Sequence, residues 1–362
     1  MKKRLVFVLL TLVLTSLTLS ISVRAEVPDQ AVKDFIDSLP DLVGDKLEKA
    51  PESPPEELYG VKFYLSFLAS SVSDALPSLG GLLARLIGIL ILYAVAERLT
   101  SRARDAVALL FRFALSLLLL EVSEGCLSSA LHTLADISHL AEGMTAVFLP
   151  LCLAGGNTAA AVAQSSGFSL FLFVTTFLSD RLLAPLVRAF LAFTLLGGAG
   201  GVDLSGFAAT LKKTYLTLVS FVTLLFGFLL GTQTLFASAA DSLSLRSVKL
   251  AVGNMIPVVG GTVSGALGTL LTSVGYLRSL VGGAATASLF VILLPPLLHL
   301  FFVRLSFSLA GDAAGIVGSG NGKRILSDFV SVFDILLATL ALSALSLLLL
   351  VAALLKCAAI DL

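Results

Sequence analysis

The chain has 362 residues, of which 57% are hydrophobic and 13% charged, with a mean hydropathy of +1.01 and a formal net charge of zero. A soluble globular chain carries about 25% charged residues, and a water-soluble fold cannot hide this much apolar surface, so the composition is that of a polytopic helical membrane protein. The basic residues are scattered and form no stripe that could neutralise phosphates, which excludes nucleic acid as the main partner.

The first residues carry Lys2, Lys3 and Arg4, then an apolar stretch from Leu5 to Val23, then Val23-Arg24-Ala25 before Glu26. This is the layout of a secretory signal peptide over residues 1–25, with cleavage between Ala25 and Glu26. The apolar stretch is long for such a segment, so an uncleaved first anchor is the competing reading. From Glu26 to Ser78 the composition turns acidic, with eleven Asp and Glu against Lys33, Lys46, Lys49 and Lys62. Val32, Phe35, Ile36, Leu39 and Val43 recur at helical spacing, and Leu58, Val61, Leu65, Leu68 and Val72 do so again beyond the Pro51–Pro55 linker. The spacing predicts two short amphipathic helices in an exported segment, residues 26–78. Their apolar stripes need a cover, either the chain's own membrane domain or another protein.

Residues 79–362 form a series of apolar runs of roughly the 20 residues a spanning helix needs. Leu82–Ala96 and Ala106–Leu120 come first, separated by Arg98, Arg102 and Arg104, which place that loop in the cytoplasm. A signal peptide that exports Glu26 independently requires the same orientation. Gly143–Ser179 then runs 37 residues without a charge, with interruptions expected at Gly155-Gly156-Asn157 and at Gly167. Leu182–Leu196, Thr214–Ala240, Leu250–Leu277, Ser279–Val303 and Ile335–Leu355 come next, so about six to eight spans are expected. Around the later runs Lys212, Lys213, Arg304, Lys323 and Arg324 oppose Arg246, Lys249, Arg278 and Lys356. Read as loop charges, these two sets balance and do not orient the helices.

Sites of bond chemistry are hard to find. The string at Gly318–Arg324 resembles a phosphate loop but fails its spacing, since GxxxxGK[ST] would need Gly and Ser or Thr where Val317 and Arg324 stand. It reads as a polar turn between the last two helices. No cofactor, no metal site and no catalytic group are expected, and the chain is read as not an enzyme. His132, Asp136 and His139 share one helical face with Glu142 a turn further. A metal could use that face, but an ordinary polar face at the outer interface has the same spacing. The three cysteines, Cys126, Cys152 and Cys357, read as small apolar fillers.

Charges inside apolar runs cost a few kcal/mol at the bilayer centre unless they face protein or water. Arg112 and Arg188 are the candidates for a bundle interior or aqueous path, whereas Arg85, near a helix end, can snorkel to the headgroups. The densest pattern is Val252–Gly283, where Gly253, Asn254, Pro257, Gly260, Gly261, Gly265 and Gly268 make a span too flexible to face lipid throughout. Gly261 and Gly265 form a GxxxG pair, and so do Gly197 and Gly201. Tight helix packing and a pore-lining or re-entrant role both fit this pattern.

The run from Ala251 to Gly282, and above all Gly253, Asn254, Pro257, Gly260 and Gly261, resembles the signature stretch of the stage III sporulation protein AE family. The order of features is also similar: a signal peptide, a short acidic exported region, a polytopic domain, the Pro295-Pro296 pair in a late span and a terminal helix. The resemblance implies a component of a transenvelope channel complex in the mother-cell membrane around the forespore. It further implies a separate secretion-type ATPase and ring-forming proteins as partners, besides the lipid bilayer. A secondary transporter with its own small-molecule site is the competing class, because discontinuous helices in both halves would suit it.

Overall fold

The computed structural model describes residues 29–48, 60–99, 104–154, 158–200, 205–255, 260–316 and 320–358. These are helical, with no strand among the described residues. The signal-peptide residues, including Ala25 and Glu26, lie outside them, as do the linker prolines and Pro257.

Two short helices, α1 (Asp29–Asp37) and α2 (Asp41–Glu48), come first. Their stripe residues Phe35, Leu39 and Val43 are buried in one cluster with Ile137, Leu140, Ala141 and Met144, so this part of the acidic segment is covered by its own chain. The second stripe does not form a separate short helix. Val61, Leu65, Leu68 and Val72 open a 39-residue helix, α3 (Val61–Leu99), which runs through Pro77 into the first apolar run. The helix continues through Pro77 and the Gly80-Gly81 pair that follows it.

The next helix, α4 (Arg104–Ala154), spans 51 residues and is followed by α5 (Thr158–Thr176). A seven-residue π-helical segment, Phe177–Leu183, joins α5 to α6 (Ala184–Gly200). The expected separate crossing at Leu182–Leu196 is therefore the second half of one continuous helical rod. Gly167 does not interrupt it. A Cβ at that position would stand 2.8 Å from a Leu230 methyl and 3.0 Å from a Leu350 methyl, so the residue is glycine because two other helices press against it.

The long helices α7 (Ser205–Met255), α8 (Gly260–Ile316) and α9 (Gly320–Ala358) complete the chain. The expected division between Leu250–Leu277 and Ser279–Val303 is absent, because α8 continues unbroken from Gly260 through Arg278, Gly282 and Gly283. Gly282 faces Leu355, whose methyl would lie 2.8 Å from an added Cβ. From there α8 and α9 run antiparallel in constant register back to their shared turn, through Arg304 beside Asp334, Phe307 beside Phe333 and Gly311 beside Leu326.

The last helix is the centre of the bundle. Its buried positions Leu326, Phe329, Phe333, Leu336, Leu340, Ser343, Leu347, Leu350 and Leu354 alternate in steps of three and four, the seam of a coiled-coil packing. Helices α4, α5, α6, α7 and α8 all touch it. Five helical stretches among the described residues are long and apolar enough to cross a membrane: 61–92, 158–196, 209–233, 280–316 and 322–355. In the last, 56% of the most apolar window is buried inside the bundle, against 12–28% in the other four. These five fit a multi-pass membrane protein.

Candidate functional site: a polar helix face and a buried charge triad

Two surfaces of the bundle contrast. Along α7 the exposed residues from Leu218 to Phe236 are mostly large and apolar, Leu218, Phe221, Leu224, Leu225, Phe228, Leu229, Leu235 and Phe236, with only Ser220 and Gly231 among them small, a composition suited to lipid. Between Glu121 and Glu142 of α4 the outward stripe is Glu121, Gly125, Ser128, His132, Ala135, His139 and Glu142, without one large apolar side chain, whereas Leu109, Leu110, Phe113, Leu117 and Leu149 are exposed on either side of it. It extends over about 32 Å at 1.5 Å per residue, close to the thickness of a bilayer core. This part of α4 lies beside apolar spans rather than apart from them. Ile137, Leu140, Met144, Val147 and Leu151 share a cluster with Phe168, Phe171, Leu347, Leu350 and Leu354.

Neighbouring groups extend the polar face. Arg188 of α6 reaches Glu124 of α4, Nε to Oε1 at 3.9 Å, with both side chains exposed. In the π-helical turn Asp180 and Arg181 are exposed, and Ser179 Oγ lies 2.9 Å from Asp180 Oδ1. A π turn widens the backbone and rotates the helix beyond it, a device common at functional sites. His139 Nδ1 lies 3.4 Å from Glu142 Oε2. His132 and His139 sit on this exposed stripe within the continuous α4, and Asp136 is half-buried beside it. Among the described residues no three His, Cys, Asp or Glu side chains converge on a point where a metal could bind.

Arg112 faces inward on α4, half-buried, and its Nε is buried without a hydrogen-bond partner among the described residues. Ser116 and Ser123, one and three turns further on the same side, are also buried with unpartnered hydroxyls. Elsewhere on this helix the hydroxyls bond the carbonyl four residues back, as Thr133 does to Ser129 at 2.8 Å and Thr145 to Ala141 at 2.8 Å.

A cluster not anticipated from the sequence joins α7, α8 and α9. Asp334 of α9 accepts Lys212 Nζ of α7 on Oδ2 and Arg304 Nε of α8 on Oδ1. The side chains are 19%, 29% and 35% exposed for Asp334, Lys212 and Arg304. One turn along α7 the Tyr215 hydroxyl meets Thr339 Oγ1 at 2.9 Å. Lys212 and Arg304 read as loop charges in the sequence, and Asp334 immediately precedes the Ile335–Leu355 run. The available signal was that three charge-free runs, 214–240, 279–303 and 335–355, each stop beside one of these residues.

Of the glycine-rich residues, Gly253 and Asn254 lie in the last turn of α7, and Gly260, Gly261, Gly265 and Gly268 in the first turns of α8. Their surroundings lie outside the described part, as do those of the Gly197–Gly201 pair. The phosphate-loop-like string spans the α8–α9 turn, where Lys323 Nζ lies 3.7 Å from Asp312 Oδ1 with both side chains exposed.

No curated protein and no solved structure matches the chain. The protein-family model described as stage III sporulation protein AE matches residues 60–358, from the start of α3 to the end of α9. That match covers both the polar face of α4 and the charge triad, and the chain belongs to the stage III sporulation protein AE family.

Proposed function

We propose that the chain is a non-enzymatic membrane component of a sporulation-specific channel complex between mother cell and forespore, and that α4 lines its aqueous path. The observation carrying this reading is the contrast between the polar outward stripe of α4 and the Phe- and Leu-rich stripe of α7 in one bundle. A stripe of Glu, Ser and His about as long as a bilayer core is thick is costly against lipid and cheap against water. The separate ATPase and the ring-forming partners come from the family resemblance, as do the mother-cell membrane and its forespore-facing side. Residues 26–78 are assigned to the outside of the cytoplasm on the signal peptide and the Arg98, Arg102 and Arg104 loop. No reacting constellation is assigned, and the work of transport is given to another polypeptide.

Single cysteines at Ser128, His132 and His139, and at Phe221 and Phe228 as the lipid-facing comparison, test the reading. The background carries Cys357→Ser, since Cys126 and Cys152 are buried. In sporulating-cell membranes a small charged maleimide should label the α4 positions and spare those on α7. Equal protection of both sets would refute the aqueous path. A saturable small-molecule uptake by the purified chain alone would favour the transporter instead.

A further inference from the structure

The Lys212–Asp334–Arg304 cluster holds two cations against one carboxylate, and so keeps one positive charge in excess. Both carboxylate oxygens are taken, one by each cation. Arg304 uses only Nε, which leaves the four N–H bonds of its two terminal nitrogens, and Lys212 has two ammonium hydrogens beyond the one directed at Asp334. Among the described residues neither cation has another hydrogen-bond acceptor. The cations are also the outer members of the cluster, more exposed than the carboxylate between them.

Position supplies a second observation. On α7 the charge-free run begins just after Lys213, on α8 it ends at Val303, and on α9 it begins at Ile335. The three runs are roughly the length of a bilayer core or longer. Asp334 joins the three helices at the level where these charge-free runs end, inside the wider stretches 209–233, 280–316 and 322–355, and a bilayer core that coincides with the charge-free runs puts the cluster at the depth of the headgroups. An excess cation at that depth draws an anion, and a planar guanidinium beside an ammonium suits a tetrahedral oxyanion, the Arg donating two bonds and the Lys one.

We infer that Arg304 and Lys212, held side by side by Asp334, form a binding site for a phosphate group, occupied by the headgroup phosphodiester of an anionic lipid. Asp334 positions the two cations and does not touch the ligand. This site stands independently of any channel role.

The test uses the full chain in an uncharged detergent and tracks its thermal unfolding midpoint. The arms are added phosphatidylglycerol, added phosphatidylcholine and inorganic phosphate. Phosphatidylglycerol should raise the midpoint more than phosphatidylcholine does. Arg304→Gln should bind it roughly tenfold more weakly, the worth of one charge-assisted contact, whereas Lys213→Gln, an exposed neighbour outside the cluster, should match wild type. An equal rise with inorganic phosphate alone, lost in Arg304→Gln, would keep the phosphate site and replace the lipid as its source. Should Arg304→Gln not fold, Lys212→Gln carries the same comparison. No rise with either anionic probe, equal rises with both lipids, or an undiminished rise in the folded variant would overturn the site.

Discussion

The Tyr215 hydroxyl lies 2.9 Å from Thr339 Oγ1, and Thr339 in turn donates to the Ile335 carbonyl at 2.8 Å. The tyrosine is therefore the donor, and the two bonds tie α7 to the backbone of the central helix. Tyr215→Phe should destabilise the folded protein by about 1 kcal/mol, the net worth of a neutral hydrogen bond. Thr339→Val, which keeps the shape but removes both bonds, should cost somewhat more. Thermal unfolding in detergent reads both, and an unchanged Tyr215→Phe protein would show that the bond contributes nothing.

Asp334 serves two cations and each cation serves one carboxylate. Loss of the carboxylate leaves two like charges facing each other, whereas loss of either cation leaves a complete pair. Asp334→Ala should therefore destabilise more than Lys212→Ala or Arg304→Ala, by about 1–3 kcal/mol once partial exposure is discounted from the penalty for breaking a buried pair. The double variant Asp334→Ala with Lys212→Met should recover part of the loss. A ranking in which either cation matters more than Asp334 would contradict the shared arrangement.

Gly143 marks where α1 meets α4. A Cβ there would clash with Ser38 Oγ and stand 2.9 Å from Ser38 Cβ, with Phe35 Cα in ordinary contact at 3.5 Å. Gly143→Ala should loosen α1 from the bundle, seen as faster proteolysis in the Glu26–Ser78 segment. Ser38→Gly in the same chain should restore protection by removing the nearer clash. If proteolysis is unchanged in Gly143→Ala, α1 does not depend on that contact.

Lys323 and Asp312 bridge the α8–α9 turn from exposed positions, where an ion pair is worth under about 1 kcal/mol. Lys323→Ala should leave stability within that margin. On the reading of the chain as non-enzymatic, the purified protein should release no phosphate from ATP above background, with or without this lysine. Turnover by wild type that disappears in Lys323→Ala would reassign the turn as a nucleotide site.

The helical membrane class and the family were legible in the sequence because they rest on composition and on one dense glycine pattern. Helix boundaries were less so. Gly167 reads as a break until Leu230 and Leu350 are seen against it, since a glycine that lets helices approach and one that ends a helix look alike in one dimension. The stripe of Phe35, Leu39 and Val43 could have been covered by this chain or by another, and only the fold selects α4. The polar stripe of α4 was seen in part, through His132 and His139, but its extent depends on which neighbours bury the rest of the helix, Asp136 included. The triad was hidden for a different reason. Lys212, Arg304 and Asp334 are far apart in the chain, and each alone has the look of an ordinary flanking charge.

The central position of α9 also has a consequence for assembly during synthesis. Every helix that packs on its heptad seam emerges before it does, so the groove that will receive Leu326–Leu354 stays empty while the ribosome is still at work. The Phe307, Phe329 and Phe333 rings cannot engage until the final hairpin closes. A nascent chain stalled before the Gly320 turn would hold a set of inserted helices with an open apolar slot, a state that membrane proteases and insertion chaperones can discriminate from the finished bundle.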